Sequence, residues 1–162
     1  MLKRIRTKVS FAAVIALVMM SYQVHAEVLI VTTAADVVDS ADGVLSLREA
    51  ITDAAEGDIV YFDSSLKKTT IYLELGPLTI SKNLSIEGLG AKLLRIDGQG
   101  KSEVFKILPF PSSISIDNLT ISGGNNSGIN KQGGSELTLI NCIVEANKSD
   151  QSGGGLFIAV SY

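Results

Sequence analysis

The sequence predicts an all-β protein, a right-handed parallel β-helix (a solenoid of stacked coils) preceded by a short capping α-helix. Short β-branched runs separated by Gly, Asn, Ser and Asp recur from residue 58 to the end of the chain. The clearest pair aligns Ile114–Ile121 with Leu137–Val144 after a shift of 23 residues, and Asn118 then falls on Asn141. Apolar residues fall on apolar residues at nearly every alternate position of this alignment. Such self-similarity is typical of a solenoid, in which each coil buries its apolar face against the next.

Residues 1–26 have the pattern of a secretory signal peptide. Four basic residues lie within the first eight positions, an apolar run extends from Phe11 to Met20, and Val24-His25-Ala26 provides a cleavage site. The apolar run is about half of the ~20 residues that a transmembrane helix needs. We therefore expect Sec-type export to the cell surface (outer membrane) or the medium. No membrane-spanning segment is expected after the signal is removed.

The composition of the mature chain excludes several classes of protein. Removal of the signal leaves 136 of the 162 residues, with 10 Lys and Arg against 17 Asp and Glu. An acidic chain has no positive surface for a polyanion, so nucleic acid is not an expected partner. His25, the only histidine, leaves with the signal, and Cys142 is the only cysteine. The mature chain therefore has no Ser-His-Asp triad, no disulfide and no His-rich zinc site, and we expect no metal and no cofactor.

Residues 27–57 are expected to form an opening strand and the capping helix. The strand is predicted at Val28–Thr32, which is rich in β-branched residues. Ser46 and Glu49 form a capping box, in which each side chain accepts a hydrogen bond from the backbone N–H of the other residue. One apolar stripe of the helix is formed by Leu47, Ala50, Ile51 and Ala54, and Gly57 provides the stop. This helix can cover the lumen and the open strand edge of the first coil.

Residues 58–162 are expected to form the coils. Their predicted strands are Ile59–Phe62, Thr69–Leu73, Leu78–Ile80, Leu84–Glu87, Leu93–Ile96, Val104–Ile107, Ile114–Ile116, Leu119–Ile121, Glu136–Leu139, Cys142–Val144 and Leu156–Ala159. At about 22 residues per coil this segment makes about five coils, the last one incomplete. The final strand is apolar and has no polar cap behind it. We therefore expect the chain to be the N-terminal fragment of a longer, C-terminally truncated passenger, or its last strand to pair with another chain.

The run Leu45–Ile51, followed by Gly57–Phe62, resembles the N-terminal signature of a group of secreted bacterial right-handed parallel β-helix proteins. Members of that group usually open with Cys-Ser-Leu-Arg-Glu-Ala and continue with a Gly-Asp-x-Ile-x-Phe strand. Leu94–Gly98 is similar to the next landmark of the group. Gly154–Leu156 and Val144–Asn147 are similar to the repeat tetrapeptides Gly-Gly-Ala-Ile and Phe-x-x-Asn of chlamydial polymorphic outer-membrane proteins.

Two positions depart from the family pattern, since Leu45 stands where the family has Cys and Val144 stands where the repeat has Phe. The resemblance implies a cell-surface or extracellular β-helix that acts as an adhesin or as a structural scaffold. Its implied partner is a surface or matrix glycan or protein of a host or neighbouring cell.

Four residues are expected to have structural roles. Ser46 and Glu49 form the capping box, and Asn118 and Asn141 are expected to form an asparagine ladder, with amide hydrogen bonds from coil to coil. Cys142 occupies the position that Leu119 takes one coil earlier, which favours a buried small hydrophobic residue.

The alternative is a polysaccharide lyase or hydrolase that acts on extracellular glycans. Such an enzyme needs paired carboxylates, or a carboxylate cluster with a Lys or Arg base, on one outward strand face. Asp97, Lys106 and Asp117 are the candidate catalytic residues for this alternative. Few aromatic residues remain in the mature chain, and most lie in strand patterns that place them inside, which argues against a sugar-stacking groove. The first interpretation therefore assigns no catalytic residue.

Overall fold

The computed structural model describes residues 25–110, 113–150 and 153–159 and is a parallel β-helix of four coils. Sheet A contains, in spatial order, β1 (Val28–Val31), β2 (Asp58–Phe62), β5 (Leu84–Glu87), β8 (Ser113–Asp117) and β11 (Glu136–Ile140). Sheet B contains β3 (Thr69–Tyr72), β6 (Leu94–Asp97), β9 (Thr120–Ser122) and β12 (Ile143–Glu145). Sheet C contains β4 (Leu78–Ile80), β7 (Phe105–Ile107), β10 (Ile129–Gln132) and β13 (Leu156–Ala159). Each coil contributes one strand to each sheet, and β1, which precedes the helix, adds a fifth strand to sheet A. The all-β parallel solenoid predicted from the sequence is confirmed.

The lumen is filled by rows of apolar side chains that run along the solenoid. Because strands pair in parallel and in register, each inward residue stacks on its equivalent in the next coil. The rows include Val60, Ile86 and Ile116 in sheet A, Ile71, Ile96 and Ile121 in sheet B, and Leu78, Phe105 and Ile129 in sheet C. All nine side chains are at most 1% exposed. Burial of each contributes about 1.5–3 kcal/mol, and this contribution depends on the neighbouring coil being in place.

The coil count differs from the sequence-based expectation of about five. The 23-residue period holds between β8 and β11, where Ser113 pairs with Glu136, but Leu84 of β5 pairs with Ile114 of β8, which is 30 residues later. Loops at the corners of the earlier coils lengthen the repeat. The same chain therefore makes four coils.

Strand β10 was not predicted, because its sequence Ile129-Asn130-Lys131-Gln132 has a single apolar residue. It is held by parallel pairing with β7 on one side and with β13 on the other. Lys131 points inward, is 6% exposed, and donates a hydrogen bond from Nζ to the Gly133 carbonyl at 2.8 Å. Backbone pairing, rather than an apolar pattern, thus specifies this strand.

Helix α1 (Leu47–Asp53) packs against β1, β2 and β4 at the N-terminal end of the solenoid. It ends earlier than expected, with Ala54 as the C-cap instead of a stop at Gly57. Lys82 donates hydrogen bonds from Nζ to the carbonyls of Thr52 and Ala54, which satisfies acceptors at the helix end. Within the described ranges, no helix has both the length and the hydropathy that a membrane crossing demands.

Candidate functional site

The capping signature is fully engaged in hydrogen bonds. The Ser46 hydroxyl accepts from the Glu49 backbone N–H at 3.1 Å, and a Glu49 carboxylate oxygen accepts from the Ser46 N–H at 2.8 Å. The other Glu49 oxygen accepts from the Asp39 N–H at 2.6 Å. The backbone hydrogen bonds from Ser46 and Asp39 lower the pKa of Glu49. This carboxylate therefore orders both the helix and the loop before it.

Arg48, which lies between Ser46 and Glu49 in the sequence, forms a buried ion pair with Asp36. Arg48 Nε lies 2.7 Å from Asp36 Oδ1, and the side chain of Asp36 is only 1% exposed. Arg48 also donates to the carbonyls of Gly76 and Pro77, and Asp36 Oδ2 accepts from the backbone N–H groups of Glu74 and Leu75. The pair thereby fastens the loop before α1 to the turn between β3 and β4. No sequence pattern indicated this partner, because Asp36 lies in an irregular loop 12 residues away.

Acidification should destabilise this cap. Burial by itself raises the pKa of Asp36, but the hydrogen bonds from Arg48, Leu75 and Glu74 outweigh it, and the pKa lies below the ordinary value. A carboxyl whose pKa is lowered by folding stabilises the protein above its unfolded pKa of about 4, and this contribution is lost as pH falls through the folded pKa. We expect the urea midpoint to be flat near neutral pH and to fall below about pH 4. Asp36→Asn should flatten that fall, and an unchanged pH profile would contradict the assignment.

The asparagine ladder joins two coils at the corner between sheets A and B. Asn141 Nδ2 donates to Asn118 Oδ1 at 3.3 Å, and both residues have positive φ values, of 51° and 57°. Asn141 is exposed and Asn118 is half-buried. Asparagine tolerates the left-handed conformation better than other residues with a Cβ atom, so backbone geometry explains these positions as well as the amide contact does.

Asn118→Ala should therefore lower the free energy of unfolding by about 1–2 kcal/mol, because alanine must adopt the left-handed conformation. Asn118→Gly removes the same amide hydrogen bond but relieves the strain, so most of the loss should be recovered. Urea unfolding of both variants separates the two contributions. Equal losses in the alanine and glycine variants would assign the stabilisation to the amide contact instead.

The structure does not bring the three candidate catalytic residues together. Asp97 ends β6 in sheet B, Lys106 is the central residue of β7 in sheet C, and Asp117 ends β8 in sheet A. Asp97 is occupied in a turn, since its carboxylate accepts from the Ser122 hydroxyl at 2.9 Å and from the Gln99 N–H at 2.7 Å. Three different sheets present these side chains, so they do not share the single outward strand face that the enzyme alternative requires.

Asp117 belongs instead to a row of outward side chains, here called the outer row of sheet A. It comprises Ile30, Tyr61, Glu87, Asp117 and Ile140, each paired in register with the next. Tyr61 and Glu87 share a hydrogen bond that raises the pKa of the Tyr61 hydroxyl. Glu87 and Asp117 stand on adjacent strands, which lie about 4.8 Å apart. The sequence alone could not pair them, because their 30-residue spacing differs from the 23-residue period.

A second feature is a cleft at the corner that leads into sheet C, here called the corner cleft. Its volume is about 350 Å³, and it is lined by Glu103, Asn126, Ser127, Asn130, Ser149, Asp150 and Phe157. These residues come from the segments at β7, β10 and β13, and so from three successive coils. Asn130 pairs in register with Phe157, and its amide Nδ2 donates to Glu103 Oε1 at 3.0 Å. Phe157, which lies in an apolar run of the sequence, is 38% exposed at this cleft.

Asn147 shapes one wall of the corner cleft by holding the turn before β10. Its Oδ1 accepts from the Gly124 N–H at 2.7 Å, and its Nδ2 donates to the Ile121 carbonyl at 3.1 Å. A Cβ atom at Gly124 would lie 2.2 Å from the Ser127 carbonyl oxygen, so the turn closes on itself too tightly for a side chain there. Asn147 is the last residue of the segment similar to Phe-x-x-Asn. Its hydrogen bonds to Gly124 and Ile121 stabilise the turn that contains Ser127.

Two residues that line the corner cleft each carry a polar atom that is buried and cannot be reached from the cleft. The Ser127 hydroxyl and the Asn130 carbonyl oxygen Oδ1 are buried and have no hydrogen-bond partner among the described residues. Ser127 is only 1% exposed. The described residues contain no group of three or more His, Cys, Asp or Glu that could hold a metal ion. The corner cleft therefore offers hydroxyl, amide and carboxylate groups beside one aromatic ring.

Cys142 is half-buried against the core, with Sγ 3.2 Å from the Ile116 carbonyl oxygen. Burial raises the pKa of the thiol, so the thiolate, which is the nucleophilic form, is disfavoured. This environment suits a small packing residue.

Comparison with known proteins returned no match: no family model, no curated protein and no solved structure matches this chain.

Proposed function

We propose that this chain is an exported cell-surface or extracellular β-helix protein that acts as an adhesin-like or structural scaffold. The signal-peptide pattern of residues 1–26, and the resemblance of Leu45–Ile51 and Gly57–Phe62 to secreted β-helix proteins, support the proposed export. The partner is a surface or matrix glycan or protein of a host or neighbouring cell.

The observation that carries this proposal is the outer row of sheet A. Five strands present outward side chains on one face, with Ile30 50% exposed and Tyr61 40% exposed beside the carboxylates of Glu87 and Asp117. Exposed apolar side chains grouped next to polar ones are typical of a macromolecular contact surface. A solenoid face of this kind binds by surface complementarity and needs no deep pocket.

Export and adhesion can be tested on the protein expressed from the full chain. The mass of the secreted product should correspond to a chain that begins at Glu27. The labelled product should bind saturably to cultured cells or to matrix-coated surfaces, and Tyr61→Ala should weaken this binding. A variant with Asp97 and Lys106, which lie on the other two sheets, changed to Ala should still bind. Retention of the product in the cytoplasm, or no saturable binding to any surface, would contradict the proposal.

One observation favours the alternative, a glycan-cleaving enzyme. Glu87 and Asp117 are neighbouring carboxylates on the outer row of sheet A, and carboxyl groups about 5 Å apart serve as acid and nucleophile in retaining glycosidases. Release of reducing or unsaturated sugar ends from polysaccharides, abolished by Glu87→Gln and by Asp117→Asn, would support this function. Asp97→Asn, on another sheet, is the matched control and should leave any such activity unchanged.

A further inference from the structure

Another cleft, here called the basic cleft, lies at the corner between sheets A and B. Its volume is about 190 Å³, and its polar lining residues are Lys68, Thr69, Thr70, Lys92, Arg95 and Thr120. They come from the first three coils. The corners of the first two coils are long, spanning residues 63–68 and 88–93, whereas residues 118–119 alone form the corner of the third coil. The basic cleft therefore lies where long corners give way to a short one.

All the charged groups that line the basic cleft are cations. Lys68 and Lys92 are exposed, and neither forms an ion pair with a described residue. Arg95 Nη2 donates to Glu145 Oε1 at 2.7 Å, but a guanidinium group has five N–H donors, so this contact leaves others available. Among the described residues, no carboxylate lines the cleft. A cleft lined by charges of one sign concentrates ions of the opposite sign, even in a chain whose net charge is negative.

Lys68 has a backbone conformation that lysine seldom adopts. Its φ is 65°, in the left-handed region that glycine and asparagine tolerate better than other residues. Its N–H donates to the Leu93 carbonyl in the next coil at 2.6 Å, which fixes this backbone. Glycine or asparagine would fit here with less strain, and strained residues are concentrated at functional sites. The strained backbone thus places an unpaired ammonium group at the cleft.

The outward face of sheet B, beside the basic cleft, carries two rows of side chains. The row next to the corner contains Thr70, Arg95, Thr120 and Ile143, and the second row contains Tyr72, Asp97, Ser122 and Glu145. Asp97 and Glu145 therefore lie on the far side of Arg95 from the corner, which directs an anionic group to the corner. Tyr72 is 54% exposed and lies roughly 7 Å from Thr70 along the strand. An exposed aromatic ring at this distance can pack against a sugar ring that adjoins the cleft.

We propose that the basic cleft binds a sulfate or carboxylate group of an acidic polysaccharide, and that Tyr72 packs against the adjoining sugar ring. This inference rests on the proposed adhesive function and gives it a ligand class. Lys68 and Lys92 bind the anionic group as point charges, and Arg95 offers the planar donors that match two of its oxygens. The cleft holds one charged group, since its volume is below the ~300 Å³ of a small-molecule site. The rest of the polymer lies on the open face of sheet B.

Dextran sulfate and dextran test the proposal, because they share one polysaccharide backbone and differ in charge. In titration calorimetry with the protein expressed from the full chain, dextran sulfate should bind at least tenfold more tightly than dextran. Hyaluronate, whose only anionic groups are carboxylates, distinguishes the two kinds of anionic group. Binding of neither dextran sulfate nor hyaluronate would overturn the proposal. Equal binding of dextran sulfate and dextran would overturn it as well.

Lys68→Asn separates binding from a structural role. Asparagine tolerates the left-handed backbone better than lysine, so the urea midpoint should stay unchanged or rise. The affinity for dextran sulfate should fall about threefold to fivefold, as expected for the loss of one exposed ionic contact. Lys148→Asn is the matched control, since it removes the same charge from an exposed position in the last coil and should leave the affinity unchanged. Equal losses in the two variants would show that only net charge matters and would overturn the site.

Glu145→Gln should change the affinity in the opposite direction. Loss of this carboxylate frees Arg95 Nη2 and removes a negative charge from the same face, so dextran sulfate should bind about twofold more tightly. A purely structural role of the Arg95–Glu145 pair would not raise the affinity. Weaker binding by Glu145→Gln would overturn the assignment of Arg95.

Failure of this inference and failure of the adhesive function are distinguishable. Saturable adhesion to cells without binding of dextran sulfate or hyaluronate removes the anion site and leaves the adhesive function in place. Binding of dextran sulfate that depends on Lys68, without adhesion to any cell or matrix, keeps the anion site and removes the adhesive function.

Discussion

Replacing Asp36 with alanine should lower the free energy of unfolding by about 3–5 kcal/mol, because it leaves the Arg48 guanidinium half-buried without its counter-ion. The loss is larger than that of one hydrogen bond. Asp36 also accepts from the backbone N–H groups of Glu74 and Leu75, which would lose their partner. The contact between the helical cap and the first coil is therefore expected to loosen as a unit.

A double-mutant cycle in urea isolates the pair itself. Asp36→Ala and Arg48→Ala each leave one charge uncompensated, so the double variant should lose clearly less stability than the sum of the two single losses. Circular dichroism can report the transitions, since loss of the strand signal follows unfolding of the coils.

The exposed pair between Arg95 and Glu145 is a control with the same chemistry. Its nitrogen-to-oxygen distance is 2.7 Å, like that of the buried pair, but the two side chains are 37% and 50% exposed. Glu145→Ala should change stability by less than about 1 kcal/mol. Equal losses in the Asp36 and Glu145 variants would show that burial adds nothing to the cap interaction.

Gly88→Ala should lower the free energy of unfolding by about 3 kcal/mol or more, because no space exists for a methyl group there. A Cβ atom at Gly88 would lie 2.3 Å from the Asn118 carbonyl oxygen and 2.9 Å from the Leu119 Cβ atom. Both neighbours belong to the next coil, and Leu119 is fully buried. The two coils would have to separate at this corner to accept the side chain.

Gly134→Ala is the matched control for this prediction. Gly134 is exposed, and a Cβ atom there would meet nothing within 4 Å. Its replacement should change the urea midpoint little, or raise it slightly by restricting the unfolded chain. If Gly88→Ala fails to fold while Gly134→Ala folds normally, the clash is supported. Matching midpoints for the two variants would count against it.

Gly88 also accounts for the length of the asparagine ladder. The register that pairs Glu87 with Asp117 places Gly88 next to Asn118, and Asn118 next to Asn141. An asparagine at position 88 would meet the Asn118 backbone. The ladder consequently joins two coils, and the coil before them has glycine at the equivalent position.

Local sequence patterns were sufficient for every described strand except β10 and for the helical cap. The alternation in Leu84–Glu87 and in Leu94–Asp97 predicts strands because inward and outward side chains alternate within four residues. The capping box needs only Ser46 and Glu49, which are three residues apart. Strand β10 shows the limit of such patterns. It has a single apolar residue, and only its backbone pairing with β7 and β13 specifies it.

The length of each coil was decided by the tertiary structure. A 23-residue repeat was visible only from β8 and β9 to β11 and β12, because the spacings elsewhere are longer, as in the 27 residues from Ile129 of β10 to Leu156 of β13. Insertions at the other corners shift the register without changing the strand pattern. Consequently, the sequence could not place Asp117 beside Glu87, or show that Asp97 and Lys106 lie on the other two sheets.

By itself, then, the sequence determined the fold class, the strand segments other than β10 and the capping helix, since each depends on residues within one turn or one strand. Only the tertiary structure decided the Asp36–Arg48 pair, the outer row of sheet A and the corner cleft. Each of these joins residues from different coils or from an irregular loop, and their distances along the chain follow no local period. In a solenoid, function belongs to surfaces assembled across coils, so the stacking register decides which side chains share a site.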